Sequence, residues 1–397
     1  MRERDNVLMV GERVEELPAL LDECLVHIKD NQFSIVRSYR EKTRKKVIGY
    51  FPVYTPVELI DAAGALPVGL HGGGNEIEIT HADALFGSFI CSIVKSTMEL
   101  FLNGALSILD GMFFSGICDS ARNLCFVVHR HFPDKAIHFL HFPQNVESPS
   151  ALSFLTGEYG RVKTILEQLT GSPVTDDALN ESIHRFNENR RLISSLYEFR
   201  REHPEKLAAW ELYVLTRVGN FLPVEEHNRL LKKVIELIAH RPPVIRDRIR
   251  VVVEGAFCEQ PPVEMLKLLD DVGCHILDDD FVLGKHFLQG NVEITAHPLE
   301  SLAKAYLNNA RLSSVRYPGK NRRVEHFVRK IKNLQVDAVI FLYAKFCEPG
   351  LFDYVLYKDR LSKEGIPHLF LEFEEKMWTF DRVKLELETF VESLIFA

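Results

Sequence analysis

The stretch DGMFFSGICD, residues 110–119, is echoed by DAVIFLYAKFCE, residues 337–348. Each stretch begins with an aspartate, continues through a short apolar run, and ends in a cysteine followed by an acid. A short apolar run bounded by turn residues is typical of a buried strand, and the residues after each cysteine predict the start of a helix. The two stretches therefore predict equivalent strand–loop–helix corners in two related halves of the chain.

Similar patterns flank both stretches. Residues 46–53 and 66–70 read as strands around a short helix, for which Thr55 is the expected N-cap and Pro56 the first helical residue. The same buried-strand pattern recurs at 136–140, 249–254, 273–277 and 368–371, and the acidic triplet 278–280 is expected to end one of these strands. Strands that alternate with helices favour parallel sheets. The predicted fold class is α/β.

The patterns divide the chain into four predicted segments. Residues 1–46 form an N-terminal helical segment, and 47–150 a first α/β domain. Residues 151–245 are rich in Leu, Glu, Arg and Asn and predict a helical insertion, and 246–397 form a second α/β domain. In open α/β sheets, ligands gather beyond the carboxyl ends of the strands. We therefore expect chemistry at the two cysteine-bearing corners.

The composition narrows the class of function. The chain has 397 residues, 46% of them apolar, and a net charge of −8. A mildly acidic chain has no overall field for nucleic acid or an anionic membrane. The charged residues 1–5 do not resemble a signal peptide, and no apolar run approaches the ~20 residues of a membrane span. Seven cysteines in such a chain do not indicate disulfides. We expect a cytoplasmic protein whose thiols are free to bind metal.

Three cysteines are the candidate ligands. Cys91 lies near the start of a predicted helix, and Cys118 and Cys347 lie at strand-to-helix turns, where a helix N-terminus favours the thiolate form. Three thiolates at one cleft can hold an iron–sulfur cluster, and because clusters usually have four cysteine ligands, one iron would keep an open position. The alternative is that each is a small buried hydrophobic residue. Cys258, after Gly255, is a weaker candidate.

Three further residues are candidate acid–base groups. Glu58 follows a strand, but an acid in the first turn of a helix also has a purely electrostatic explanation. His71 and His81 flank the glycine turn 72–74 and could donate protons, although a histidine in a loop is often simply solvated. The glycine turn lacks both nucleotide-binding glycine patterns. The chain thus shows no ATP motif of its own.

Four motifs resemble one known family. The stretch GYFPVYTPVELIDAAGALPV (49–68) is similar to the opening signature of the 2-hydroxyacyl-CoA dehydratase and benzoyl-CoA reductase family. FICSIVKS (89–96), SGICDS (115–120) and KFCEP (345–349) are similar to its three cysteine motifs, in the same order. The resemblance extends from about residue 45 to 395. It implies two Rossmann-like domains with a [4Fe-4S] cluster between them, bound by Cys91, Cys118 and Cys347.

The resemblance also implies partners. Members of this family work as pairs of homologous sister subunits, and a separate iron–sulfur ATPase activator delivers low-potential electrons that originate from ferredoxin. That arrangement agrees with the absence of an ATP motif here. A chain of this kind could also be a cluster-bearing sister subunit that binds no substrate itself.

Two chemistries compete within the family. Dehydratases eliminate water from a 2-hydroxyacyl-CoA through a ketyl radical, whereas class I benzoyl-CoA reductases add two electrons and two protons to an aromatic acyl-CoA and give a cyclic dienoyl-CoA. The stretches 50–58, 69–75 and 255–262 resemble the reductase subunits more closely. The length is nearer that of the smaller active-site subunit, the C-type, than of the B-type. The resemblance thus favours the reductase and keeps the dehydratase as the alternative.

Overall fold

The computed structural model describes residues 2–72, 76–244, 247–255, 259–281, 288–313, 315–316, 322–374, 377 and 379–396. The strands are β1 (Val47–Tyr50), β2 (Leu66–Gly69), β3 (Gly111–Ser115), β4 (Ala136–Leu140), β5 (Ile249–Glu254), β6 (Cys274–Asp279), β7 (Ala338–Ala344) and β8 (His368–Phe373). The helices are α1 (Arg2–Lys29), α2 (Ser34–Thr43), α3 (Val57–Ala62), α4 (Ser92–Leu102), α5 (Asp119–His131), α6 (Ala151–Thr170), α7 (Asp176–Glu202), α8 (Ala209–Val218), α9 (Val224–Ala239), α10 (Val263–Asp271), α11 (Pro298–Asn309), α12 (Arg322–Leu334), α13 (Glu348–Glu364) and α14 (Asp381–Ile395).

The strands form two four-stranded sheets with the same topology. Their orders are β2-β1-β3-β4 and β6-β5-β7-β8, and every strand pair within them is parallel. The predicted α/β class with two Rossmann-like halves is confirmed. β3 and β7 hold the same place in their sheets, so the two cysteine-bearing stretches do leave equivalent strands.

The internal repeat extends to the start of these strands. The Asp110 carboxylate accepts a hydrogen bond from the backbone N–H of Val47 at 2.9 Å, and Asp337 accepts one from that of Arg250 at 2.6 Å. In return, the backbone N–H of each aspartate donates to the carbonyl of the same partner. Each aspartate thus fixes the register of the third strand against the first, which sets where the following cysteine emerges.

Helices α6 to α9 occupy residues 151–239, and α7 and α8 contact β6 of the second sheet. α7 packs on α3 and on β6, and α1 packs on α8 and α9. The N-terminal helix therefore lies on the helical segment of the middle of the chain. The exact limits of the four predicted segments stay a prediction.

Two local predictions are wrong. The acidic triplet does not end β6 at residue 277, because Asp278 and Asp279 belong to the strand and are buried. They stay there because Arg201 and Arg200 of α7 form ion pairs with them, at 3.3 and 2.8 Å. At α3 the N-cap is Pro56, not Thr55.

Among the described residues, no helix has the length and apolar character needed to cross a bilayer.

Candidate functional site

Three cysteines meet at one cavity between the two halves. Cys91, Cys118 and Cys347 all line a space of about 400 Å³, which is within the range of ~300–1,000 Å³ typical of small-molecule sites. Cys91 and Cys118 come from the first half, and Cys347 from the second. The structure thus brings together the three ligands that the sequence predicts.

Each of these cysteines is the N-cap of a helix. Cys91 precedes α4, Cys118 precedes α5, and Cys347 precedes α13. A helix N-terminus carries unpaired N–H groups and a partial positive charge, which stabilise an anion placed against it. Three helix N-termini therefore border the same cavity, and their partial positive charge would stabilise a negatively charged group bound there.

Local backbone geometry presents the thiols to the cavity. The Cys118 Sγ accepts a hydrogen bond from the backbone N–H of Ala121 at 3.4 Å. Phe346, directly before Cys347, has a φ of 66°, in the left-handed region that turns the chain sharply into α13. A Cβ at Gly350 would lie 2.7 Å from the Tyr343 ring, so only glycine allows α13 to pack this closely beside Cys347.

Burial changes the titration of the thiols. It raises the pKa of Cys91 well above the usual value, and the Glu259 carboxylate is the second cause, followed by Cys347 and Cys118. Burial also raises the pKa of Cys118, against the hydrogen bond from Ala121. Both thiols are therefore protonated when no metal is bound, and metal binding has to release those protons.

The arrangement fits an iron–sulfur cluster better than a single ion. Among the described residues, no group of three or more His, Cys, Asp or Glu side chains is placed to hold one metal ion. A [4Fe-4S] cluster takes each thiolate on a different iron atom, so its ligands need not converge on one point. Three thiols around a cavity of this size match three of the four cysteine ligands that are usual for such a cluster, which would leave one iron open.

The mouth of the cavity is apolar and exposed. Phe89 is 79% exposed and Phe352 72% exposed, and Phe89 packs edge-to-face on Phe346 with 5.9 Å between the ring centroids. Asp119 and Glu348, each directly after a cysteine, also line the cavity and reach solvent. The site therefore has an apolar rim and two acids at its entrance.

Glu58 is not part of this cavity. It is fully buried, and one carboxylate oxygen lies 2.6 Å from the Arg190 Nη1 of α7. Arg190 in turn donates to Asn187 at 2.6 Å, and Asn187 is hydrogen-bonded to the backbone of Val292. Glu58 thus belongs to a chain of polar contacts that connects α3, α7 and the second half.

His71 lies in a separate and much smaller cavity, of about 60 Å³, which is also lined by Tyr50, Asn220 and His227. Burial is the main cause that lowers the pKa of His71 to about 3, followed by the Arg217 guanidinium. Burial also lowers the pKa of His227 to about 4. Both rings are therefore neutral at pH 7.

His81 lies on the surface. Its side chain is 68% exposed, and its Nδ1 lies 2.7 Å from the Glu99 carboxylate of α4. Glu99 also accepts hydrogen bonds from the backbone N–H groups of Thr80, His81 and Ala82. Neither His81 nor Glu99 lines the cysteine cavity. The acid–base roles of Glu58, His71 and His81 stay predictions, and the geometry gives them no support.

Some sequence candidates lie outside the described residues, namely Cys258 and positions 73 and 74 of the glycine turn. Sequence reasoning missed Glu259, which bonds to the start of α4 although 166 positions separate it from Ile93. A contact over that distance leaves no local pattern. Asp119 and Glu348 had a signal, because both corner motifs place an acid directly after the cysteine.

Comparison with known proteins gives a consistent result. A family model described as 2-hydroxyglutaryl-CoA dehydratase, D-component, matches residues 52–394. A benzoyl-CoA reductase subunit of Thauera aromatica is 34% identical over 94% of this chain and 98% of its own length. The (R)-phenyllactyl-CoA dehydratase beta subunit of Clostridium sporogenes is 27% identical over 92% and 96%, respectively. Lactoyl-CoA dehydratase subunit beta of Anaerotignum propionicum is 29% identical over 94% and 99%.

Proposed function

We propose that this chain is the iron–sulfur active-site subunit of an ATP-dependent benzoyl-CoA reductase. The premise is that the chain belongs to the 2-hydroxyglutaryl-CoA dehydratase D-component family. The observation that carries the proposal is the meeting of Cys91, Cys118 and Cys347, each at a helix N-cap, around one cavity.

The choice of reductase rests on two observations. The identity of 34% to the reductase subunit exceeds the 27% and 29% to the two dehydratase subunits. The stretches 50–58, 69–75 and 255–262 resemble reductase subunits. The dehydratase subunits still cover nearly the whole chain, so elimination of water from a 2-hydroxyacyl-CoA is the second candidate function.

In the proposed reaction, an aromatic acyl-CoA gains two electrons and two protons and becomes a cyclic dienoyl-CoA. A [4Fe-4S] cluster held by the three cysteines would supply one-electron transfer at low potential. The helix N-termini stabilise the negative charge of the thiolates. The aromatic rim, once covered, excludes water, so that charge developing on the substrate meets protein dipoles instead.

The protons need a path from solvent to this cavity. Asp119 and Glu348 line the cavity and reach solvent, so they are the best-placed groups in the described chain to carry protons inward. Glu58, His71 and His81 line no part of the cavity. We therefore assign proton delivery to the two acids that follow the cysteines.

The proposal includes partners. The relatives are named as subunits, and we propose a homologous sister subunit for this chain as well. An iron–sulfur ATPase activator that takes electrons from ferredoxin would supply the reducing power.

Product analysis tests the proposal. The anaerobically purified complex is incubated with ATP, reduced ferredoxin and the activator, and with either benzoyl-CoA or phenyllactyl-CoA. We expect benzoyl-CoA to gain two hydrogen atoms by mass spectrometry, with ATP consumed. Loss of water from phenyllactyl-CoA, with benzoyl-CoA unchanged, would favour the dehydratase. Turnover that is unaffected by substitutions in this chain's cavity would assign the substrate to the sister subunit.

A further inference from the structure

The N-terminus of α4 is capped from the other half of the molecule. Glu259 follows β5 and is buried. One of its carboxylate oxygens accepts a hydrogen bond from the Ser92 hydroxyl, and the other accepts one from the Ile93 backbone N–H at 3.2 Å. A carboxylate at this position satisfies N–H groups that an N-cap side chain normally binds.

The cap holds the residues directly after Cys91. Cys91 is the N-cap residue of α4 and lines the cavity, and the two groups that Glu259 binds belong to the next two residues of the chain. The contact therefore fixes the start of α4, and with it the place of Cys91, against the second half.

The same carboxylate lies beside Cys91, because the groups that it binds belong to Ser92 and Ile93, the two residues that follow Cys91. A charge acts strongly where burial excludes water. The reduction potential of an iron–sulfur cluster depends on net charge, on hydrogen bonds and on solvent exposure, and a nearby anion opposes the uptake of an electron.

We propose that Glu259 is a positioning residue that joins the two halves at Cys91 and sets the cluster to a more negative reduction potential. The inference rests on the proposed function, since it requires the cluster held by the three cysteines. It predicts that removing the charge, while keeping the shape, leaves the cluster bound but makes its reduced form a weaker reductant.

The test is a redox titration of Glu259→Gln in the purified complex, followed by EPR. Glutamine keeps the size and an oxygen for the Ile93 N–H. We expect wild-type iron and sulfide, a midpoint potential shifted to a less negative value, a lower kcat and an unchanged KM for the acyl-CoA. An unchanged potential with only reduced stability would overturn the proposal, because it would make Glu259 a structural cap alone.

Two variants complete the design. Glu211 is also a buried glutamate that caps a helix. It accepts from the Ala208 N–H at 2.9 Å and pairs with Arg241 at 2.7 Å, so these contacts lie in the helical segment and not at the start of α4. Glu211→Gln should lose stability without a shift in potential. Glu259→Asp keeps the charge and should stay near the wild-type potential even if the chain is less stable. A shift in Glu259→Asp as large as in Glu259→Gln would contradict the role of charge.

The outcomes separate the two proposals. A wild-type chain without iron would refute the proposed function, and the inference about Glu259 with it. If the wild-type chain holds the cluster and the Glu259→Gln variant has the same reduction potential, the inference about Glu259 would be refuted and the proposed function would stand.

Discussion

The two cavities at the carboxyl edge of the first sheet differ in almost every respect. The cysteine cavity, beyond β3, measures about 400 Å³ and opens to solvent. The histidine cavity, lined by Tyr50, His71, Asn220 and His227 beyond β1 and β2, measures about 60 Å³. The first gathers helix N-termini from both halves. The second lies against the helical segment and contains the neutral rings of His71 and His227.

Hydrogen bonds explain the histidine cavity as packing. The Tyr50 hydroxyl donates to the Asn220 side chain at 2.9 Å, and the Gly69 backbone N–H donates to the Asn220 carbonyl at 3.1 Å. The His227 Nε2 donates to the Leu215 carbonyl, so its Nδ1 accepts from Asn189. These contacts attach the first sheet to the segment between α8 and α9 and join α7, α8 and α9 to one another. They give the polar residues of this cavity a structural role, whereas the cysteine cavity has room for a bound group.

The largest expected effect comes from the cysteine cavity. Replacing Cys118 by Ser should remove the cluster and lower turnover to background, because a hydroxyl is a poor ligand for iron–sulfur clusters. Helix content by circular dichroism should remain near wild type. Cys125→Ala is the matched control, since Cys125 is on the same helix but lines neither cavity. Equal activity in the two variants would contradict the assignment.

The next effect concerns the ion pair behind α3. Replacing Glu58 by Leu leaves the buried Arg190 uncompensated and should lower the free energy of unfolding by about 3–5 kcal/mol. The double variant Glu58→Leu/Arg190→Met should lose clearly less than the sum of the single changes. Chemical denaturation measures both. The iron content per folded chain should not change. If the Glu58→Gln variant is stable but loses turnover, the result would contradict this account and support an acid–base role for Glu58.

The histidine cavity should respond to pH. The pKa of His71 is about 3 in the native state and ~6.5 in the unfolded chain. Below pH ~6.5 the unfolded chain therefore binds a proton that the native state does not. As the pH is lowered through this range, the free energy of unfolding falls by about 1.4 kcal/mol per pH unit. His71→Asn should remove that share. We would compare urea unfolding at pH 7.5 and 5.5, where the same pH dependence in both proteins would contradict the buried neutral ring.

The smallest effect is expected at His81. Its ring is mostly exposed and its partner Glu99 keeps three backbone hydrogen bonds, so His81→Ala should cost no more than about 1 kcal/mol. Turnover should stay within about twofold, that is, below 0.5 kcal/mol in transition-state energy. Steady-state kinetics would show a fall of more than tenfold if His81 were an acid–base group.

Local patterns were enough to predict the parallel sheets and the corners at which two of the three cysteines lie. The apolar run after Asp110 predicted β3, and its counterpart after Asp337 predicted β7. In the structure, the cysteine that follows each strand lines the cavity, at the corner where the sequence placed it. Cys91 was predicted from a helix start and the family motif. The predicted strands and helix starts are confirmed because strand, turn and helix start are encoded by neighbouring residues, whereas the ligand role of the cysteines stays a prediction.

What failed depends on partners far away in sequence. The acids at 278 and 279 were expected to end β6, but α7 supplies the arginines that bury them. Glu58 does lie in the first turn of α3, but its ion pair with Arg190 had no signal in the sequence. The capping contact of Glu259 crosses between the two halves. Contacts between residues so far apart in sequence produce no local or periodic pattern from which they could be predicted.

One measurement tests the central claim most directly. The complex is purified without oxygen, and iron and acid-labile sulfide are determined for this chain, together with low-temperature EPR. The account predicts about four irons and four sulfides per chain, with a signal that shifts when benzoyl-CoA is added. A chain that holds no iron under strictly anaerobic handling would contradict it, and would leave Cys91, Cys118 and Cys347 as structural residues.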